Sequence, residues 1–362
     1  MLLTTLTTIL QDAEISDVHI EEGEPLWYRR VSDMHRSDGD PVTREAIEQF
    51  MADVGLGDAK QLIGEMDKNG GDRDFATKVG PYSVRGNILF QNGRKLGVVL
   101  RKLAQEIPTA ESLNLPAKFI ELLVQSKGLL LVTGPTGSGK TTTLGAGIDY
   151  LNKNKRLKII TVEDPIEYRH RHKSSKVDQR EVGRHKDADT FDKAVRAALR
   201  EDPDVIMIGE LRDRVTVDAA LRAANTGHLV LATLHTNSAQ LTIERFTSFF
   251  AAEEKGYVQQ TLASVLLGVL SQVLVPVNPD SGKTGRALCY ELLVNTPASR
   301  SVIKEGKPAQ LFNIMETGSG DGHVLLNRNL LERARKGDIS VDDARYFSYD
   351  PDAFDKELVG AY

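Results

Sequence analysis

Gly134-Pro135-Thr136-Gly137-Ser138-Gly139-Lys140-Thr141 constrains this chain more than any other stretch. Just before it stands Leu129-Leu130-Leu131-Val132, with the length and composition of a buried strand, and a helical pattern follows it. Glycines at this spacing let backbone N–H groups close around an oxyanion, where a Cβ would block the approach. The next helix adds the positive end of its dipole. The pattern G-x-x-x-x-G-K-[ST] is that of a phosphate-binding loop. Residues 134–142, ending in Thr142, are therefore the expected phosphate cradle. Lys140 would reach the β- and γ-phosphates of ATP and Thr141 would ligate Mg²⁺. The competing reading is a glycine-rich turn that merely joins a strand to a helix.

A chain of 362 residues has material for two domains and a large core. Hydrophobic residues at 40% and charged residues at 27% mark an ordinary soluble chain, and a reducing cytoplasm suits it. The net charge of −5 argues against bulk nucleic-acid binding. Cys289 is the sole cysteine, which excludes an intrachain disulfide and a multi-cysteine zinc site. The N-terminus lacks the basic region and apolar core of a signal peptide. Leu2, Leu6, Ile9, Leu10 and Ala13 follow helical spacing instead. The longest uncharged run, Leu262 to Val277, is broken by polar residues and Pro276 and is shorter than the roughly 20 residues of a spanning helix. It reads as a buried helix running into a strand, so no integral membrane segment is expected.

Residues 1–104 mix short strands and helices and form a first domain. Ser16–Ile20 and Leu26–Val31 read as strands and Glu45–Met51 as a helix. Tyr82–Phe90 and Lys95–Leu103 read as a hairpin turned at Gln91-Asn92-Gly93-Arg94. Arg85 and Arg101 lie on its two arms, where the plain reading is two exposed strand charges. Residues 105–116, polar with two prolines, read as a linker. Residues 117–362 form the second domain, opening on a short helix, Ala117–Ser126.

In that second domain apolar runs recur, each meeting chemically capable residues. Lys158–Val162 ends in Glu163-Asp164-Pro165, Val205–Ile208 ends in Gly209-Glu210, and Leu229–Leu234 lies between His228 and His235. Helical patterns, notably Phe191–Arg200 and Val215–Ala224, alternate with them, which predicts a parallel α/β sheet covered on both faces. Ligands of such sheets bind at the carboxyl ends of the strands, so one crevice is expected to gather these residues. Glu210 is placed to hold Mg²⁺ or its water shell. Glu163 is placed to polarise the attacking water, with Asp164 and Glu167 as competitors. The two histidines, seven apart, belong at or beyond the two ends of their strand, as structural residues or as reporters on phosphate or a neighbouring domain. The basic stretch Tyr168–Lys176 reads as a solvated loop, or a contact for an acidic partner or nucleic acid.

These motifs together resemble those of the secretion and pilus motor ATPases, most closely the PilT-like retraction ATPases of type IV pili. VTGPTGSGKTTTL resembles the family's Walker A motif, TVEDPIEY (161–168) its Asp box, ALREDPDVIMIGELRD (198–213) its Walker B motif and TGHLVLATLHTNSA (226–239) its His box. SDVHI near the start and QREVG (179–183) also fit. The resemblance implies an α/β protein with a PAS-like α+β N-terminal domain and a RecA-like P-loop NTPase C-terminal domain. It implies a cytoplasmic homohexamer that binds ATP and Mg²⁺ between domains and works on an inner-membrane pilus platform protein. By the same resemblance Glu163 is the catalytic base, Glu210 the Walker B acid, His228 and His235 the His-box pair, and Arg85 and Arg101 the arginines that reach the phosphates. Residues 298–305, ASRSVIKE, fit the retraction-type motif AIRNLIRE imperfectly. A motor of pilus assembly, conjugation or type IV secretion is the alternative within the superfamily. A RecA-like nucleic-acid translocase and a nucleotide-dependent scaffold with little turnover are alternatives from other classes.

Overall fold

The computed structural model describes residues 2–12, 14–30, 33–69, 71–103, 106–183, 186–282 and 285–359. Expectations at Ala13, Val31, Ala104, Gln105 and Tyr362 fall outside these residues. The chain divides into two compact units, Met1–Glu106 and Ile107–Tyr362.

The first unit is built on an antiparallel sheet of strands β1 (Ile15–Glu21), β2 (Trp27–Arg30), β3 (Asp33–Arg36), β4 (Arg73–Val79), β5 (Tyr82–Gln91) and β6 (Lys95–Lys102), in the order β3-β2-β1-β6-β5-β4. The β5–β6 hairpin turns where expected, with Asn92, Gly93 and Arg94 at positive φ. Period-2 alternation gives this sheet one apolar face. Val18, Ile20, Val84, Ile88, Val98 and Leu100 pack there against helices α1 (Leu2–Gln11), α2 (Arg44–Asp53) and α3 (Ala59–Asn69). The alternate residues, among them Arg85 and Arg101, stand on the opposite face.

The second unit starts with residues 107–116, where Ala110 is buried and Leu115 N–H donates to its carbonyl. Within it Thr109 closes a local turn by accepting from Ser112 N–H. Helix α4 (Ala117–Leu123) follows. The sheet comprises β7 (Gly128–Thr133), β8 (Lys158–Glu163), β9 (Lys176–Glu181), β10 (Val205–Ile208), β11 (Leu229–Leu234), β12 (Leu266–Pro276) and β13 (Arg286–Val294). Their order is β13-β12-β7-β11-β10-β8-β9, parallel except for the edge strand β13. Both faces are covered. Leu129, Leu131, Ile160, Val162, Ile206, Ile208, Val230 and Ala232 enter one core, and Leu130, Val132, Ile159, Val205, Met207 and Leu231 the other. Helix α5 (Lys140–Asn154) serves the second core. Helices α6 (Phe191–Ala198), α7 (Arg214–Asn225), α8 (Ala239–Ser248) and α9 (Ala252–Val265) serve the first. As expected, the uncharged run is a helix, α9, passing into strand β12. With apolar side chains filling the interiors of β7, β8, β10 and β11, the charged side chains of these strands are confined to their ends.

Candidate active site

The loop after β7 is shaped by glycine. Gly134 has φ 143°, and a Cβ there would lie 2.2 Å from the Gln272 carbonyl oxygen. Gly139 takes a left-handed conformation at the N-cap of α5 and offers no side-chain acceptor to that helix's first N–H groups. Ser138 Oγ is buried with no protein partner among the described residues. Donors without acceptors, a helix N-terminus and a space only glycine permits suit a phosphate chain. Lys140, buried at the start of α5, donates to the carbonyls of Gly134 (2.8 Å) and Pro135 (3.0 Å). Burial pulls its ammonium below the usual amine range, and the charge of Glu210 opposes that.

A polar chain runs from Lys140 along the strand ends in the order of the strands themselves. Lys140 Nζ lies 3.4 Å from His235 Nδ1, beyond β11. His235 Nε2 lies 3.2 Å from Glu210 Oε1, beyond β10. An ammonium only donates, so Nδ1 accepts and Nε2 carries the hydrogen towards Glu210. Arg212 Nε donates to Glu210 Oε2 at 2.7 Å and its Nη1 stands 3.5 Å from Asp164 Oδ2, beyond β8. Glu163, the last residue of β8, is 4% exposed. Burial pushes its carboxyl above the usual range, against hydrogen bonds from Thr161 and Gln179 that favour the charged form. Lys140, Thr141, Thr142, Glu163, Glu210 and His235 all line one cavity of about 480 Å³. That volume is within the range of small-molecule sites.

His228 does not join them. It precedes β11, at the amino end of the strand, and its Nδ1 lies 3.0 Å from Ala223 O and 3.2 Å from Thr226 Oγ1. Six residues of strand separate the two histidines by about 20 Å. The expectation of a crevice shared by both imidazoles is corrected accordingly. Arg85 and Arg101 are in the first unit, directly opposite one another on β5 and β6. Arg101 Nε donates to the buried Asp17 at 2.7 Å, and Arg85 stands 3.9 Å from Asp74. Asp17 also faces Arg29 on β2, so Arg29, Asp17, Arg101 and Arg85 form one row across four strands. The expected basic loop is tied down in part: Lys173 pairs with Asp149 and Lys176 with Asp178.

Arg212 carried no assigned role in the sequence, and neither did Gln272 or Tyr168. Gln272, on β12, donates to Ser138 O at 2.6 Å and accepts from Thr143 Oγ1 at 2.9 Å, bracing the loop from behind. Its signal was a lone amide within an apolar run. Tyr168 OH meets Thr142 Oγ1 at 3.0 Å, tying the Asp-box stretch to α5.

A glycine-built anion loop on a parallel sheet, with acids at the neighbouring strand ends, defines the class of P-loop nucleoside triphosphatases. A family described as type II/IV secretion system protein matches residues 75–344. The chain belongs to this family of secretion and pilus ATPases. The type IV pilus retractation ATPase PilT of Pseudomonas aeruginosa is 44% identical over 284 residues, 78% of this chain and 80% of that protein. A crystal structure of the pilus retraction motor PilT with bound ADP superposes with a TM-score of 0.87 at 40% identity, covering 98% of each chain. The X-ray structure of the Legionella pneumophila ATPase DotB superposes with a TM-score of 0.80 at 27% identity, covering 95% of each chain. Among the described residues, no helix is long and apolar enough to cross a membrane.

Proposed function

We propose that this chain is a hexameric motor ATPase that couples Mg²⁺-dependent ATP hydrolysis to domain rotation and powers type IV pilus retraction. The observation that carries this reading is the polar chain from Lys140 to Asp164 along the strand ends, in a chain 44% identical to a pilus retraction ATPase. In this reading residues 1–104 are the PAS-like domain, 117–362 the RecA-like domain, and 105–116 the segment about which they turn.

Within the site, the N–H groups of 134–142 and Lys140 bind the triphosphate. Glu163 takes the proton of the attacking water. Thr141 and Glu210, the latter through water, are the residues to hold Mg²⁺. One hydroxyl and one carboxylate form a suitable donor set when phosphates and water complete the ion's shell. The ion, when bound, neutralises charge on the phosphates. Arg85 and Arg101 supply further positive charge there, and Arg101 acts as an arginine finger does. His235 links Lys140 to Glu210, while His228, at the far end of β11, reports to a neighbouring domain. The protein works in the cytoplasm, held at the inner membrane by a pilus platform protein.

The match to a family described as type II/IV secretion system protein favours one second reading, a motor of a conjugation or type IV secretion system. Deleting the gene in its own organism separates the two. Loss of a retraction motor leaves cells covered in pili and unable to pull themselves along a surface. Normal pilus number and surface motility, with DNA or protein transfer lost, would move the assignment to secretion.

A further inference from the structure

The stretch QREVG (179–183) fits the family but has been given no task. In the fold its first residue lies directly behind the proposed base. Gln179 sits on β9, in register with Thr161 on β8, and is not among the residues that line the cavity. Its side-chain amide donates to Glu163 Oε1 at 3.1 Å and to the Tyr168 carbonyl at 2.8 Å, and it accepts from His170 N–H at 2.8 Å. A backbone N–H requires an oxygen and a backbone carbonyl requires a donor, so these two partners fix which end of the amide faces the acid. Thr161, two residues before Glu163 on the same strand face, donates its hydroxyl to the same Oε1 at 2.6 Å. Among the described residues both donors converge on Oε1 and none reaches Oε2.

We infer that Gln179 is the positioning residue of the catalytic base: with Thr161 it pins one carboxylate oxygen of Glu163 and leaves the other to receive the proton of water. The inference rests on the proposed role of Glu163. Two hydrogen bonds on one oxygen fix the carboxylate's rotation, and both favour its ionised form. The carboxyl is otherwise pushed towards its neutral, inactive form by burial. The charged groups that face it add to this push. They are Glu181, opposite on β9 and paired with Lys186, and Glu167 in the loop that follows. β10 itself holds no ionisable residue, with Glu210 beyond its end in the same cavity, and α6 buries Ala194, Val195 and Ala198. Gln179 is also the covalent neighbour of nothing in the cavity, yet it binds the Tyr168 carbonyl while the Tyr168 hydroxyl touches Thr142 on α5. Movement of the phosphate-loop helix is thereby linked to the orientation of the base.

The test is the pH dependence of ATP turnover for the full chain and for Gln179→Ala. Losing a donor to the ionised form raises the carboxyl's pKa, so activity lost on the acidic side returns as pH rises. The acidic limb of kcat should move up by about one pH unit. At a given pH on that limb kcat should fall by up to about tenfold and converge on the parent value as pH rises, with KM for ATP within about twofold. Thr161→Val removes the other donor and should shift the limb the same way, while Thr161→Ser should restore it. These variants carry the test if Gln179→Ala does not fold. An unmoved acidic limb in Gln179→Ala, or in Thr161→Val, overturns the inference. Glu163→Gln separates this from failure of the base itself. If that variant turns over normally, Glu163 is not the base; if it is inactive while the donor variants keep the parent profile, only the positioning role falls.

Discussion

The two sheets of this protein handle charge in opposite ways. In the second unit the inner strands β7, β8, β10 and β11 are parallel and buried on both faces, and their ionisable side chains stand at strand ends: Glu163 closes β8, Glu210 follows β10 and His235 follows β11. In the first unit one sheet face is uncovered by helices, and Arg29, Asp17, Arg101 and Arg85 stand in mid-strand as a row across it. The difference follows from burial. A doubly covered strand has no place for a charge except where it leaves the sheet. A singly covered antiparallel strand presents every second residue outward, and directly opposed residues share that face. The first arrangement builds a pocket; the second builds a flat array able to meet charge brought to it from elsewhere.

Substitutions at strand ends and in mid-strand should therefore fail differently. The largest effect is expected for Lys140→Ala. It removes a buried cation from the phosphate loop and should cut turnover on the order of 10³-fold and weaken nucleotide binding too. Titration with a fluorescent ATP analogue alongside phosphate release checks both. On the proposed finger role, Arg101→Ala should lower kcat on the order of 10²-fold with KM changed little, since such a charge counts mainly when the phosphoryl group is in transit. A change confined to KM would reduce the mid-strand row to a binding surface. His228→Ala is the smallest: turnover of the purified chain should stay within about twofold, with about 1 kcal/mol of stability lost along with its bond to Ala223 O, as read by denaturant unfolding. A loss as deep as that of Lys140→Ala would mean that the amino end of β11 does serve the site.

The second unit was far easier to read from sequence than the first, for the same physical reason. Runs such as Leu129–Val132 and Val205–Ile208 are continuous and apolar because they are covered twice, and each is a strand. Their ends mark the site, so Lys140, Glu163, Glu210 and His235 could all be picked out before any coordinates. β9 escaped because KVDQRE is an edge strand with a single fully buried residue, Val177, and its polar face carries Gln179. β3, DMHR, is exposed throughout and has no alternation to detect. The row linking Asp17 to Arg101 depends on pairing between strands 84 residues apart, which no local pattern encodes. His228 shows the complementary case: of the two histidines that bracket the run, the one preceding the strand stands at its amino end, away from the site.

The central claim is that hydrolysis happens at the carboxyl edge of the parallel sheet, with Glu163 as the group that accepts the proton. Phosphate release from limiting ATP by purified Glu163→Gln tests it most directly. The account predicts nucleotide bound with near-parent affinity and cleaved on the order of 10²–10⁴-fold more slowly. Cleavage within about threefold of the parent rate, well short of that general-base contribution, would contradict it.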